Sequence, residues 1–425
     1  MSSPAESMSS RTDQSTRLGA LDRVLRQRLL ATLGGLSGGQ VTVRDGQGTV
    51  TVGQAGGLHV TMHIHDPAFY RALAANGSVG AGEAYMDGLW TCDDLVALVR
   101  LLVRNRDHLD AMETGMARLG GWAMRALHAF KRNTRLGSQR NIAAHYDLGN
   151  DLFKLFLDDN LMYSSAIFAD PGESLEAAQR RKLERICRKL DLQPSDHLVE
   201  IGTGWGGMAL YAARNFGCRV TTTTISKEQH ALATARVADA GLADKITVLL
   251  EDYRDLQGSY DKLVSIEMIE AIGHQYLDTY LAKCASLLKH DGLALIQAIT
   301  IEDSRYQQAL GSVDFIKRHI FPGSFIPCVS AITHAAAQAS DLRLVNLEDF
   351  GPSYALTLNH WRQRFLSRLD QVRALGYDER FIRMWEFYLC YCEGGFIERS
   401  IGDVHLLLAR PGNRRPQYIP APEAV

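Results

Sequence analysis

The chain has 425 residues, of which 46% are hydrophobic and 22% charged, and its formal net charge is −2. This length exceeds what one small core needs and suits two domains, and the near-neutral charge gives no reason to expect a nucleic-acid partner. The seven cysteines form no CxxC pair and no regular spacing, so neither a metal centre nor a disulfide framework is expected, and a reducing cytoplasm is the natural compartment.

The N-terminal part of the chain divides into a polar tail and a small domain. Residues 1–15 contain no apolar stretch, which predicts a disordered tail rather than a signal peptide. Residues 16–110 are predicted to form an α+β domain whose role is lipid docking or a homodimer contact. Its elements are a helix over Leu18–Leu33, the alternating strands VTVRD, GTVTV and LHVTMHI, and helices over Pro67–Ala75 and Asp93–Arg106.

A helical linker over residues 111–140 changes the character of the chain. Between Gly115 and Tyr146 there is no Asp or Glu, although several Arg and Lys residues alternate with apolar ones. Two interpretations stay open: a solvated linker, and a basic amphipathic helix that rests on anionic lipid headgroups. No stretch reaches the roughly 20 apolar residues that a membrane span requires, so the expected location is cytoplasmic, with peripheral attachment to the inner face of the membrane.

Strands and helices then alternate over residues 141–425, which predicts a parallel sheet with helices on both faces. The predicted strands are HLVEI, CRVTTTT, KITVLL, DKLVSI, LALIQAI and a last strand over Asp403–Leu408. The predicted helices are Met208–Phe216, Lys227–Ala240, Tyr276–Leu288, Leu356–Leu375 and Glu379–Ile401.

A glycine-rich motif follows the first of these strands and reads Glu200-Ile-Gly202-Thr-Gly204-Trp-Gly206-Gly207. Glycines at such a turn let a nucleotide approach the backbone. Because Gly202, Gly204 and Gly207 also satisfy the GxGxxG pattern, a nicotinamide-dependent oxidoreductase is a competing hypothesis.

Three features disfavour the oxidoreductase. Glu200, which precedes the first glycine of the motif by two residues, suits a cationic amino-acid ligand and would repel a pyrophosphate. The next strand ends in Thr223-Thr224 without the carboxylate that a dinucleotide ribose requires. The strand after that ends in Glu251-Asp252-Tyr253, where a carboxylate and a ring can hold an adenine.

Several segments together resemble the cyclopropane-fatty-acyl-phospholipid synthases and the similar mycolic acid cyclopropane synthases. The resemblance implies an α/β class I methyltransferase fold, with a Rossmann-like seven-stranded sheet, and S-adenosylmethionine as the cofactor. The segments that carry it are His145-Tyr-Asp-Leu-Gly-Asn-Asp-Leu-Phe, Met162-Tyr-Ser-Ser-Ala166, the glycine motif, Thr224-Ile-Ser-Lys-Glu-Gln229, Asp252-Tyr-Arg-Asp, Phe321-Pro-Gly, Asp349-Phe-Gly-Pro-Ser-Tyr354 and Gly80-Ala-Gly-Glu-Ala-Tyr-Met-Asp-Gly-Leu-Trp90.

The same resemblance implies which residues bind the cofactor. It implies that the cofactor is covered by Tyr163 and Ser164 and that its methionine part lies over Gly202 and Gly204. The ribose and the methionine end would lie near Thr224, Ile225 and Gln229. The adenine would be held by Asp252 and Tyr253.

For the chemistry, the resemblance implies a bound bicarbonate ion as the base. Its implied ligands are Glu270, Tyr354 and the backbone at Ile299. Glu270 is preferred over the nearby Glu267 because it matches the family's glutamate. The family's cysteine and histidine are replaced here by Ser165 and Gln297. Both replacements can donate hydrogen bonds to an anion, but neither carries a proton near neutral pH as imidazole does.

The expected activity is methyl transfer to the double bond of an unsaturated acyl chain in a membrane phospholipid. Ring closure to a cyclopropane is the first expectation. A methylene branch, which a partner reductase could convert to a methyl branch, is the alternative, and a lipid-binding protein with a decayed site is a third hypothesis.

The linker interpretation has a direct test. If residues 111–140 bind anionic lipid, exchanging Lys131 and Arg132 for Glu lowers pelleting with anionic liposomes about tenfold or more, because each basic residue near the surface contributes about 1 kcal/mol. Added salt abolishes the pelleting of the unchanged protein. Equal pelleting of both proteins supports the solvated linker instead.

Overall fold

The computed structural model describes residues 18–112 and 149–414, which belong to two compact units. The predicted tail over residues 1–15 lies outside the described residues. So does the predicted basic linker, except for its first two residues, which end a helix. Within the described residues, no helix is both long and apolar enough to cross a membrane.

The N-terminal unit is built on a four-stranded sheet of order β2-β1-β3-β4. β1 pairs antiparallel with β2 and parallel with β3, and Val41, Val43 and Val60 point into the core with no exposure. The strands are β1 Gly39–Asp45, β2 Gly48–Gly53, β3 Leu58–Ile64 and β4 Trp90–Cys92, and the helices are α1 Ala20–Gly34, α2 Ala68–Met86, α3 Leu95–Arg104 and α4 Arg106–Met112.

The three strands predicted for this unit are confirmed, and two details differ. Helix α2 continues well past the predicted end at Ala75, because two helical segments join across a kink at Gly77, where φ is +55°. The short strand β4 was not predicted, since its three residues are too few for a periodic pattern.

The second unit contains a seven-stranded sheet of order β10-β11-β9-β8-β5-β6-β7, in which β11 alone runs antiparallel to its neighbours. This arrangement confirms the predicted class of α/β sheet. The strands are β5 His197–Ile201, β6 Arg219–Thr224, β7 Ile246–Leu250, β8 Tyr260–Ile266, β9 Leu288–Ile301, β10 Arg343–Asp349 and β11 Ile401–Ala409.

Helices connect and flank these strands. They are α5 Asn150–Lys154, α6 Leu175–Lys189, α7 Gly207–Phe216, α8 Lys227–Asp239, α9 Leu277–Leu287, α10 Tyr306–Leu310, α11 Val329–Ala339, α12 Gly351–Leu366, α13 Leu369–Ala374 and α14 Glu379–Ile397. The helix predicted over Leu356–Leu375 is two helices, α12 and α13. Strand β10 was not predicted, because this edge strand is largely exposed and lacks a clear alternation.

The sheet topology fixes where a ligand can bind. From β5 the chain moves outward to β6 and β7, and then returns to the other side of β5 with β8 and β9. In such open sheets the crevice forms at the carboxyl ends of the strands, at the point where the order reverses. The ends of β5, β6, β7 and β8 therefore enclose the cleft.

A partly buried ion pair ties helix α6 to edge strand β10. Lys189 Nζ is fully buried and lies 2.5 Å from a carboxylate oxygen of Glu348, which also accepts hydrogen bonds from Arg185 at 2.8 and 2.5 Å.

Replacing Glu348 by Gln leaves a buried ammonium without its counter-charge, and we expect a loss of about 2 kcal/mol in the free energy of unfolding, measured with urea. Glu379→Gln, at an exposed pair with Arg373, is the matched control and leaves the unfolding midpoint unchanged. Equal effects of both substitutions would contradict this.

Candidate active site

The glycine-rich turn between β5 and α7 forms the floor of the cleft. Gly202, Gly204 and Gly206 have φ values of +100°, +51° and +85°, a region that residues with a Cβ adopt only with strain. The backbone N–H groups of Gly202 and Thr203 both donate to the Thr223 carbonyl, at 3.1 and 3.0 Å, which holds the turn against β6. The turn thus leaves backbone exposed to a ligand.

All nine residues predicted to bind the cofactor line one cleft, whose empty volume is about 1120 Å³ including its open mouth. The strand ends bring them together, as expected for the carboxyl edge of a parallel sheet. They are Tyr163, Ser164, Gly202, Gly204, Thr224, Ile225, Gln229, Asp252 and Tyr253.

Glu200 places an acid in the wall of this cleft. Its side chain is buried, one carboxylate oxygen bonds to Thr222, and Oε2 is buried without a hydrogen-bond partner. Burial raises the pKa of Glu200 to about 8. An orphaned acidic oxygen facing a cleft fits the cationic amino group of S-adenosylmethionine, so the residues present suit this cofactor.

The adenine side of the cleft has a partner that sequence analysis missed. The Asp252 carboxylate accepts hydrogen bonds from Arg254 Nε at 2.8 Å and Arg254 Nη2 at 2.6 Å. The guanidinium of Arg254 also lies 5.6 Å from the centre of the Tyr253 ring. Arg254 therefore fixes the positions of both predicted adenine-binding side chains.

Tyr163 and Ser164 form the opposite wall. The Tyr163 hydroxyl shares a hydrogen bond of 2.9 Å with the Tyr388 hydroxyl, and its ring lies 5.3 Å from that of Trp361. The Ser164 hydroxyl accepts a hydrogen bond of 2.6 Å from Lys182 Nζ. Lys182 is wholly buried, which lowers the pKa of its ammonium to about 8, while nearby carboxylates oppose the change.

Behind this wall, Glu267 occupies the centre of a buried polar cluster. Its Oε1 accepts hydrogen bonds from the Ser165 backbone N–H and from Gln297 Nε2, both at 2.8 Å. Its Oε2 accepts from the Tyr354 hydroxyl at 2.7 Å. Glu267 also lines the cofactor cleft, whereas the five predicted catalytic residues (Ser165, Glu270, Gln297, Ile299 and Tyr354) do not.

The Ser165 contact differs from the expectation. The Ser165 hydroxyl donates to the Ala166 carbonyl at 2.9 Å, so only the backbone N–H of Ser165 reaches the carboxylate.

Glu270, which the resemblance favours as an ion ligand, lies in a neighbouring position. Its Oε1 accepts a hydrogen bond of 2.6 Å from the Ile299 backbone N–H, and its Oε2 is buried without a partner. Burial, with the neighbouring Glu267 charge, raises the pKa of Glu270 to about 8. The structure thus brings Glu270 and Ile299 together, as predicted, but gives Gln297 and Tyr354 to Glu267.

Asp403 completes the cluster from strand β11. It accepts a hydrogen bond of 2.8 Å from Gln297 Nε2 and also hydrogen-bonds to Glu267. Burial, together with the charges of Glu267 and Glu270, raises the pKa of Asp403 well above its usual range, which favours its protonated form.

Burial likewise raises the pKa of Glu267, and the Tyr354 hydrogen bond and the Lys182 charge oppose part of that rise. Sequence analysis missed Lys182 and Asp403 because no local motif surrounds them. It named Glu267 but preferred Glu270.

Glu200 generates a pH-dependent prediction for cofactor binding. Below about pH 8 the buried carboxyl is mostly protonated in the free protein, and a cationic ligand prefers the carboxylate. The affinity for S-adenosylhomocysteine should therefore rise up to tenfold per unit between pH 6 and 8, measured by calorimetry. Glu200→Gln should bind more weakly and without this slope. A flat profile for the unchanged protein would contradict the assignment.

Comparisons with known proteins agree with this geometry. A family model described as mycolic acid cyclopropane synthetase matches residues 133–406. Tuberculostearic acid methyltransferase UfaA1 of Mycobacterium tuberculosis is 38% identical over 377 residues, 86% of each chain. Cyclopropane-fatty-acyl-phospholipid synthase of Escherichia coli K12 is 37% identical over 351 residues, 81% of this chain and 87% of that one.

Solved structures give the same result. The cyclopropane synthase MmaA2 from Mycobacterium tuberculosis superposes with a TM-score of 0.60 at 28% identity, covering 64% of this chain and 98% of its own. Mycolic acid cyclopropane synthase CmaA1, complexed with SAH and CTAB, gives 0.59 at 28% identity, with the same coverage. The chain therefore belongs to the mycolic acid cyclopropane synthetase family and is an S-adenosylmethionine-dependent methyltransferase.

Proposed function

We propose that the chain methylates the double bond of an unsaturated acyl chain in a membrane phospholipid and releases a methylene-branched acyl chain. The observation that carries this proposal is the buried acidic cluster around Glu267, which borders the cofactor cleft and contains Gln297 where the family has a histidine. Bound S-adenosylmethionine supplies an electrophilic methyl group.

The protein's own contribution is to stabilise a cation away from water. An isolated alkene is a weak nucleophile, and its attack on a methyl group leaves a carbocation on the acyl chain. Negative π-faces and a carboxylate stabilise such a cation in a dry pocket. The Tyr163 ring lines the cleft, and the rings of Trp361 and Tyr354 lie behind it, with centroids 5.3 Å apart for Tyr163 and Trp361 and 6.1 Å apart for Tyr354 and Trp361.

A phospholipid is the proposed form of the substrate for two reasons. The E. coli relative is named a cyclopropane-fatty-acyl-phospholipid synthase and matches this chain over 81% of its length. The linker over residues 111–140 is basic, which suits peripheral attachment to anionic headgroups. A homodimer and a reductase partner that saturates the methylene group belong to the same proposal.

The branched product follows from the strength of the base. Rapid proton loss from the transferred methyl group, with ring closure, gives a cyclopropane. If the cation persists, a hydride moves from the methylated carbon to the neighbouring cationic carbon, which yields a more stable tertiary cation. Proton loss from the transferred methyl group then gives a methylene group. Three donors on the Glu267 carboxylate, from Ser165, Gln297 and Tyr354, weaken it as a base and favour the slower route. The relative UfaA1 is named a tuberculostearic acid methyltransferase, for methyl transfer rather than for ring formation.

A cyclopropane synthase is the second candidate. The family model and the E. coli relative are both named for ring formation, and Glu270 with Ile299 keeps the arrangement that the resemblance implies. Two carboxylate-type bases are compatible with either product: a bound bicarbonate ion and Glu267 itself.

The product decides between the candidates. The purified protein is incubated with oleoyl phospholipid vesicles and S-adenosylmethionine, and the acyl chains are analysed by proton NMR, because both products have the same mass. We expect exocyclic alkene protons as the major new signal. High-field ring protons alone would establish the cyclopropane synthase.

A matched variant tests the physical reason. Ser165→Cys combined with Gln297→His restores the residue types of the family, and we expect it to raise the proportion of ring product severalfold. An unchanged product ratio would show that these two positions do not decide the outcome. Absence of any methylated lipid with every vesicle composition would contradict the proposed function as a whole.

A further inference from the structure

The Glu267 carboxylate receives the donors that were predicted to hold a bicarbonate ion. Two of the predicted ligands, Gln297 and Tyr354, donate to it at 2.8 and 2.7 Å, and the backbone N–H of Ser165 adds a third hydrogen bond at 2.8 Å. Three donors converging on one anionic group are what a bound oxyanion would require. Here that anionic group belongs to the chain.

The backbone at this position is unusual for a residue with a side chain. Glu267 has φ +47°, in the left-handed region, and its N–H donates to the Gln297 carbonyl at 2.9 Å, which fixes the turn after β8. Glycine adopts this conformation without strain, whereas a glutamate does so at a cost in free energy. The conformation aims the side chain into the space between β8, β9 and α12.

A bicarbonate ion has little reason to bind beside this carboxylate. It would compete for donors that Glu267 already engages, and it would bring a second negative charge next to a largely desolvated carboxyl group. Glu270 and Asp403 add further acidic groups, and the positive charge of Lys182 acts on Glu267 and Asp403.

We propose that Glu267 is the base of the reaction and takes the place of bicarbonate in this chain, an inference that rests on the proposed methylation of an acyl double bond. The alkene's π electrons form the new C–C bond as the sulfur–methyl bond breaks, and sulfur keeps that electron pair. After the hydride shift, a C–H bond of the transferred methyl group breaks. Its electron pair becomes the exocyclic double bond, and the proton moves to a Glu267 oxygen.

The neighbouring groups suit this role. Asp403 hydrogen-bonds to Glu267, and burial raises the pKa of both carboxyl groups, so the pair can share the proton that arrives. Lys182, held on the Ser164 hydroxyl at 2.6 Å, keeps a positive charge close to Glu267 between turnovers. Glu267 and Ser164 line the cleft where the reacting carbon must lie, whereas Lys182 and Asp403 do not.

The test is chemical rescue in Glu267→Gly. Glycine suits the left-handed backbone and removes the carboxylate, which opens a site for an external anion with its donors intact. In carbon dioxide-free buffer we expect the unchanged protein to keep its activity within twofold. Glu267→Gly should lose about 100-fold or more, as removal of a general base does, and recover at least tenfold with added bicarbonate.

Binding gives a readout independent of turnover. Bicarbonate should raise the melting temperature of Glu267→Gly and leave that of the unchanged protein constant, since only a ligand that binds the folded state stabilises it. Glu267→Gln is the matched control: its amide still fills the site, so it should be inactive and should respond to bicarbonate in neither assay. Stabilisation by S-adenosylhomocysteine shows that each variant is folded.

Three outcomes would overturn the proposal: bicarbonate dependence of the unchanged protein, its stabilisation by bicarbonate, or near-normal turnover by Glu267→Gln. If Glu267→Gly fails to bind S-adenosylhomocysteine, the unchanged protein and Glu267→Gln still decide. If no lipid is methylated at all, the proposed function fails, but the melting temperatures continue to test which anion occupies the site.

Discussion

A carboxylate largely enclosed by the protein must find its hydrogen bonds inside it, and Glu267 finds them by drawing together distant parts of the second unit. Its partners come from the loop at Ser165, from β9 through Gln297, from α12 through Tyr354 and from β11 through Asp403. An unpaired buried charge is strongly destabilising, so these contacts constrain the packing of α12 and β11 against the end of β8. The wall of the cleft depends on that packing.

The cleft is consequently acidic at two separated points. Glu200 leaves an unpartnered oxygen at the glycine-rich turn, and Glu267 faces the cleft from the end of β8. A sulfonium cofactor with a cationic amino group brings positive charge to this space, and the proposed reaction would add a carbocation. Acids in a dry site stabilise such charge far better than water-exposed acids would. Under the proposed function, one electrostatic arrangement therefore serves cofactor binding and chemistry.

Within one family, small changes around the base can select the product. The family fold supplies the cofactor cleft, and the lifetime of the cation depends on how fast a nearby base removes a proton. Gln297 donates to both Glu267 and Asp403 at 2.8 Å and cannot itself accept a proton as a histidine would. Under the proposed function, position 297 is therefore one that influences which product forms.

The sequence by itself determined the α/β alternation and the glycine-rich turn, and it predicted nine cofactor residues that line one cleft, because most of these lie at strand ends whose position follows from chain order. It left the choice between Glu267 and Glu270 to a family match, and only the tertiary structure shows which donors each carboxylate accepts. The sequence also did not reveal Arg254 beside Asp252, the Ser165 hydroxyl turned to Ala166, or strand β10. The partners of Glu267 are separated from it by 102, 30 and 87 residues, and no local pattern encodes which side chains such distant segments bring into contact.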